Sequence, residues 1–142
     1  MLLEQILPNC ALHSHNVATD DRGRLVALEA GREVPFAIER VYFLYDTSPG
    51  AERGFHAHRS LEQWMVCVAG TCTLVVDDGA ERREVLLDAP DKGLYIGPGI
   101  WREMRGFSPG AVLMVLASAP YDESDYLRSY DDFLQLARVS RS

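Results

Sequence analysis

Turn-forming residues punctuate this chain from residue 21 to residue 110, and no helix of ten residues fits before residue 120. Asp21-Arg22-Gly23, Ser48-Pro49-Gly50, Ala69-Gly70, Asp77-Asp78-Gly79, Gly97-Pro98-Gly99 and Ser108-Pro109-Gly110 each combine residues that favour tight turns. Between them lie short runs rich in Val, Leu, Tyr and Phe, at 25–29, 38–45, 62–68, 71–76, 84–87, 94–96 and 111–117. Short strands separated by turns predict an all-β sandwich or barrel. The pattern changes at Ser124. That serine can cap a helix, Asp125 suits its positive end, and Tyr126, Leu127, Tyr130, Phe133, Leu134 and Ala137 recur at helical spacing. One short C-terminal helix is expected there. No repeat, linker or low-complexity stretch divides the chain, so residues 1–142 read as one domain.

Charge narrows the partners. Lys and Arg number 14 against 21 Asp and Glu, a net charge of −7. That balance argues against a nucleic-acid groove or an anionic membrane. A small anionic ligand needs only a local arginine cluster, and every basic residue except Lys92 is Arg. Cys10, Cys67 and Cys72 form an odd set without paired spacing, which predicts reduced thiols. Cys67 and Cys72 flank the Ala69-Gly70 turn and read as packed cross-strand neighbours. The first ten residues contain Glu4 and no basic n-region, so no signal peptide is expected. The longest apolar runs, 64–76 and 111–121, are shorter than a membrane span. A cytoplasmic protein is the expectation.

All four histidines sit in H-x-H pairs, His13/His15 and His56/His58. Residues i and i+2 of a strand share a face, so each pair can aim two imidazoles at one place. The second pair has company: Tyr42, Arg53, Glu62 and Gln63 belong to neighbouring runs, and Arg102 follows the turn at Gly99. The first pair has no following acidic partner and reads as a solvated N-terminal segment. Gly97-Pro98-Gly99 lacks the following helix or Lys of a phosphate loop and reads as a plain turn. Asp122, Glu123, Asp125, Asp131 and Asp132 read as helix-start capping and a solvated face.

The Gly54-Phe55-His56-Ala57-His58 stretch, with Glu62, Gly70 and Gly99-Ile100-Trp101-Arg102, resembles the cupin layout, a double-stranded β-helix or jelly-roll barrel. Metal-binding cupins use the H-x-H pair, a Glu and a later His. Here Arg102 stands in the later place, and a guanidinium has no lone pair to donate and repels a dication. No metal is therefore expected, although His56, His58 and Glu62 alone would suffice for a facial triad.

More closely, the sequence resembles the cupin-fold nucleotide-sugar 3,4-ketoisomerases. The resemblance rests on Asp21-Arg22-Gly23-Arg24-Leu25, Pro35-Phe36-Ala37-Ile38-Glu39-Arg40-Val41-Tyr42, Arg53-Gly54-Phe55-His56-Ala57-His58, Gly93-Leu94-Tyr95-Ile96-Gly97-Pro98, Trp101-Arg102-Glu103-Met104 and Tyr121-Asp122-Glu123-Ser124-Asp125-Tyr126, in order over about residues 17 to 133. It implies an enzyme acting on dTDP-4-keto-6-deoxyglucose, with His56 as base and His58 and Tyr42 beside it. It also implies Arg22, Arg53, Gln63 and Arg102 near substrate, no metal or redox cofactor, and a homodimer that exchanges N-terminal strands. Within the family, the galactose-configured type resembles this chain at Arg22 and the glucose-configured type at Arg102. An arginine cannot cycle a proton at neutral pH, so proton return from His56 to the face it left predicts the glucose configuration. Three other readings stay open at this point: a dTDP-sugar 3,5-epimerase, a metal-dependent cupin enzyme, and a non-catalytic sugar-binding cupin.

Overall fold

The computed structural model describes residues 1–141. In chain order the strands are β1 (Leu2–Leu7), β2 (Cys10–Ser14), β3 (Ala18–Asp20), β4 (Gly23–Leu25), β5 (Arg40–Leu44), β6 (Arg53–His58), β7 (Gln63–Ala69), β8 (Cys72–Asp77), β9 (Arg82–Leu87), β10 (Lys92–Ile96), β11 (Trp101–Arg105), β12 (Val112–Ala117) and β13 (Tyr126–Leu127). Helix α1 (Tyr130–Arg141) closes the described chain. Two sheets form the jelly roll, β1-β2-β10-β7-β12-β5 and β13-β6-β11-β8-β9, with β3 and β4 a separate hairpin. The expected all-β cupin-like barrel with one C-terminal helix is the fold found.

Alternation fills the space between the sheets. Met65 and Cys67 of β7, Leu74 and Val76 of β8, Leu94 and Ile96 of β10, and Leu113 and Val115 of β12 all point into one buried core. Each pair is spaced by two, as a pleated strand requires. The intervening residues of β7, Trp64 and Val66, face outward. There Val34 and Phe36 of the long 26–39 crossing cover them, together with Leu116.

Four expectations change. The helix starts at Tyr130, not Ser124. Glu123–Asp125 is a single 3₁₀ turn capped by Asp122, whose side chain accepts the Ser124 N–H, and Tyr126 leaves it in extended conformation. Tyr126 then pairs with His58 and Leu127 with Ala57, so these two residues extend a sheet. Ser129 caps α1 by accepting the Asp132 N–H at 3.3 Å. Phe133 and Ala137 pack on Ala57, Trp101 and Leu127, as the helical spacing predicts from there on.

The run at 25–29 is not a strand beyond Leu25, because the chain turns away to make the 26–39 crossing. Strands β1, β2, β3 and β11 were not among the runs read from the turn pattern. The His13/His15 segment is not solvated: it is β2 and the loop after it. His15 is buried, its Nε2 accepts the Trp64 indole N–H at 3.1 Å, and its Nδ1 lies 2.9 Å from the Pro90 carbonyl. Gly93 leaves the room for this contact, since a Cβ there would stand 2.1 Å from Trp64 Nε1. All three cysteines are free and buried. The Cys67 thiol donates to the Ala69 and Gly70 carbonyls at 3.2 and 3.4 Å, and the neighbouring Cys72 thiol holds it below its ordinary range.

Candidate active site

One end of the barrel collects ring and guanidinium groups from four strands, β5, β6, β11 and β13, with the Gln63 amide of β7 among them. The arrangement begins with a bulge in β6. Opposite β11, Arg102 pairs with His56, Glu103 with Gly54 and Met104 with Arg53, so Phe55 is an extra residue. Gly54 and Phe55 both carry positive φ, 89° and 58°. A side chain at Gly54 would meet the Arg102 carbonyl oxygen at 2.9 Å, so glycine is required. Phe55 is turned out to solvent, while His56 and His58 turn inward.

The two imidazoles stand edge to face, 4.9 Å between centroids. Tyr126 packs on both, at 4.9 Å from His56 and 4.4 Å from His58. Asp125 Oδ2 is 3.3 Å from His58 Nδ1. Behind the rings runs a polar chain. Arg102 donates from Nε and Nη2 to the Ile100 carbonyl at 3.2 and 3.0 Å, and from Nη1 to Gln63 Oε1. Gln63 Nε2 then donates to the Tyr42 hydroxyl at 3.0 Å. The Tyr42 oxygen is thereby an acceptor, and its own proton is free to point elsewhere.

Electrostatics follow from one buried cation. Arg102 is fully enclosed, and burial lowers its pKa to about 10, still protonated at neutral pH. Among the described residues its hydrogen-bond acceptors are neutral. Burial, reinforced by this charge, pushes His56 down to about 4, with the Gly54 carbonyl pulling the other way. The same causes, joined by His56 and by Arg40 and Arg128, push His58 lower still. Burial raises the Tyr42 hydroxyl. Both imidazoles are thus neutral at pH 7 with lone pairs available.

Two cavities adjoin here, sharing Arg40 and Tyr126 as their wall. The larger, about 340 Å³, is lined by Tyr42, Arg53, His56, Met104 and Arg128 as well. The smaller, about 180 Å³, is lined by His58, Ser60, Ser118, Asp122 and Asp125. His56, His58, Tyr42 and Arg53 therefore meet as the sequence suggested. Gln63 and Arg102 belong to the same assembly but have no exposed surface; they support Tyr42 and set the charge from behind. Arg22 does not join them. It sits in the β3–β4 turn, 87% exposed and paired to Asp20 at 2.7 Å. Glu62 faces away from the histidines and accepts the Tyr95 hydroxyl at 2.7 Å. The His56/His58/Glu62 triad is not assembled, and among the described residues no three His, Cys, Asp or Glu gather as a metal site.

Sequence reasoning missed Arg40, Asp125, Tyr126 and Arg128. Arg40 had a signal, since it lies two residues before Tyr42 on β5 and shares its face. Its guanidinium lies 5.3 Å from the Tyr42 ring centroid. Arg128 stacks over Tyr126 at 4.4 Å and is held by Glu123 through Nε at 2.7 Å.

Comparison with known proteins agrees with this fold. Residues 8–138 match the family described as FdtA, WxcM-like, C-terminal. A TDP-4-oxo-6-deoxy-alpha-D-glucose-3,4-oxoisomerase of Aneurinibacillus thermoaerophilus is 53% identical over 114 residues, 80% of this chain and 82% of the relative. The structure of WlaRB, a TDP-quinovose 3,4-ketoisomerase of Campylobacter jejuni, superposes with a TM-score of 0.88 at 47% identity, over 91% of this chain and 99% of that one. QdtA, a sugar 3,4-ketoisomerase of Thermoanaerobacterium thermosaccharolyticum solved with TDP, gives 0.92 at 38% identity, over 95% and 98%.

Proposed function

The chain belongs to the FdtA, WxcM-like C-terminal family, and from that membership we propose that it is a sugar-nucleotide 3,4-ketoisomerase acting on dTDP-4-keto-6-deoxyglucose. The observation that carries the reading is a pair of neutral, solvent-shielded imidazoles in edge-to-face contact, His56 beside Tyr42 at the wall of a cavity rimmed by Arg40, Arg53 and Arg128 and His58 at the wall of the adjoining one. Those three guanidiniums suit a diphosphate.

The reaction moves a carbonyl from C4 to C3. His56 takes the C3 proton and leaves an enediolate with charge on O4. The Tyr42 hydroxyl, oriented by Gln63, donates to that oxygen, and the Arg102 charge behind it stabilises the anion in a low-dielectric setting. The diphosphate and the enediolate both oppose the field of Arg102, and so lift His56 from its resting low pKa toward the range a base needs. The same-face return from His56 expected from the sequence would give the galactose configuration, because H3 and H4 lie on opposite faces of the ring in glucose. Delivery to the opposite face of C4, from the Tyr42 hydroxyl whose own proton is free, gives the glucose configuration. The quinovose named for the Campylobacter relative has that configuration, which supports the assignment. His56 in turn lowers the neighbouring His58, so the protonation of the two imidazoles is linked.

The working unit in this reading is a homodimer that exchanges N-terminal strands, in the cytoplasm. The edge strand β1 exposes Leu2 and Leu3, and the edge strand β5 exposes Val41 and Phe43, both of which need cover. Arg22 touches substrate only if a second copy brings it there. Free buried thiols suit a reducing compartment. Incubation with dTDP-4-keto-6-deoxyglucose in D₂O, followed by NMR, tests the function. The 3-keto product with a large H4–H5 coupling is expected. Deuterium at C5 would instead mark an epimerase, and no exchange at all a binding protein.

A further inference from the structure

Arg128 is one of the three guanidiniums that rim the larger cavity, and a carboxylate holds it. Its Nε donates to Glu123 Oε1 at 2.7 Å and its Nη2 to Glu123 Oε2 at 2.9 Å, a two-point pair. Both side chains are more than half exposed, and an ion pair in that setting adds little to stability. The pair matters for where it puts the guanidinium.

Its surroundings fix both the plane and the edge of that group. Leu127 pairs with Ala57, so the backbone leading into Arg128 is anchored to β6, the strand of His56. The Arg128 guanidinium lies over the Tyr126 ring, 4.4 Å from its centroid, and Tyr126 packs on His56 at 4.9 Å. Glu123 is set from the other side. It opens the 3₁₀ turn capped by Asp122, and its Oε2 also accepts the Tyr121 hydroxyl. The Arg128 and Tyr121 hydrogen bonds hold the Glu123 carboxyl down to about 2, so it is ionised at neutral pH. A guanidinium carries its five N–H donors in one planar fork, and Glu123 engages the Nε–Nη2 edge. The Nη1–Nη2 edge remains for a second bidentate acceptor, such as a pair of phosphate oxygens. An anion entering the cavity need not displace Glu123.

We propose that Glu123 is the positioning residue of Arg128, locking the guanidinium flat on Tyr126 so that its Nη1–Nη2 edge receives the diphosphate of the sugar nucleotide. The inference rests on the ketoisomerase reading above, which supplies the ligand. Glu123 does not touch that ligand. It acts before binding, by removing the freedom of a long side chain that the phosphates would otherwise have to immobilise. It also brings a negative charge toward them, and that charge is offset only while Arg128 is paired with it. The sign of the Glu123 contribution therefore depends on Arg128.

The test is a double-variant cycle read by calorimetry with dTDP. Glu123→Ala should weaken dTDP binding by about three- to tenfold, the cost of immobilising one long side chain. In turnover the loss should fall on KM, with kcat changed less than about twofold. Glu123→Gln, which keeps one acceptor for Arg128, should recover part of it. In an Arg128→Ala background the loss should vanish or reverse, because the carboxylate is then an unpaired anion near the diphosphate. An equal loss in both backgrounds makes Glu123 a merely structural part of its turn and overturns the proposal. Tighter binding by Glu123→Ala alone also overturns it, since Glu123 would then compete for Arg128. A second readout needs no ligand. The Arg128 Nε–H resonance, identified by its absence from Arg128→Ala, should exchange slowly with water in the free wild-type protein and quickly in Glu123→Ala. Equally fast exchange in both overturns the positioning role whatever binds. A wild-type protein that binds no dTDP defeats the functional reading instead, and the Nε–H result stands apart from it.

Discussion

The chain carries the same three-residue motif twice, and the two copies do opposite things. In the first, His15 has both ring nitrogens occupied, one by the Trp64 N–H and one near the Pro90 carbonyl. It works as a fastener between β2's exit and β7. In the second, His56 Nδ1 and both nitrogens of His58 are buried with no formed hydrogen bond. Burying a polar group unpaired costs about 1–3 kcal/mol, so the second pair is held where it is by the rest of the fold. The difference teaches that an H-x-H motif reports geometry alone. Whether the nitrogens are spent or available decides between structure and chemistry.

The largest effect should separate the pairs by activity. His56→Ala is expected to lose at least about 10²-fold in kcat while remaining folded and still binding dTDP by calorimetry. His13→Ala should retain near-normal turnover; the comparison collapses if the two variants are equally impaired.

The next should separate them by stability. His15→Ala leaves the Trp64 N–H without its acceptor, and about 1–3 kcal/mol of unfolding free energy should be lost in urea, with kcat little changed. A variant as stable as wild type would remove the fastener from the account.

pH gives a third and smaller contrast. The folded pKa of His56 is below its ordinary 6.5, at about 4. The unfolded chain therefore binds the extra proton first as pH falls. Stability attributable to this group is fully present above 6.5 and lost progressively as pH drops toward 4. His56→Gln should flatten that part of the stability–pH curve. A second probe is Arg102→Met, which removes a charge that lowers both imidazoles and should raise the His56 pKa read by NMR. An unmoved pKa would take Arg102 out of the electrostatics.

The smallest expected effect is none. Neither pair gathers a third ligand of the His, Cys, Asp or Glu type among the described residues, so exhaustive chelation should leave turnover unchanged. Activity lost on chelation and restored by one added metal would reverse this.

Much of the barrel was legible because strand alternation and turn residues are local. The runs behind β5, β7, β8, β9, β10 and β12 all emerged from that pattern alone. What failed was long-range. Tyr126 and Leu127 satisfy helical spacing as well as strand spacing, and only pairing with His58 and Ala57 decides between them. That single misassignment hid Tyr126, Asp125 and Arg128 from the site. His15 looked solvated because its two partners are 49 and 75 residues away. Arg102 was expected near substrate, and its enclosure behind Gln63 is a packing fact that no motif carries.

The bulge in β6 works as a frameshift for side chains. On an unbroken strand, residues three apart face opposite ways. Arg53 and His56 are three apart, yet both line the same cavity, because they sit opposite Met104 and Arg102, two residues of β11 that share a face. The extra residue, Phe55, absorbs the odd count. Grafting the histidine pair onto a regular strand would thus keep both imidazoles and turn the guanidinium of Arg53 to the far side of the sheet. Deleting Phe55 would instead leave Arg53 and His56 two apart on a regular strand and keep them on one face, so the motif Arg53–His58 is transferable either with its bulge or with the extra residue removed, but not with all six residues on a regular strand.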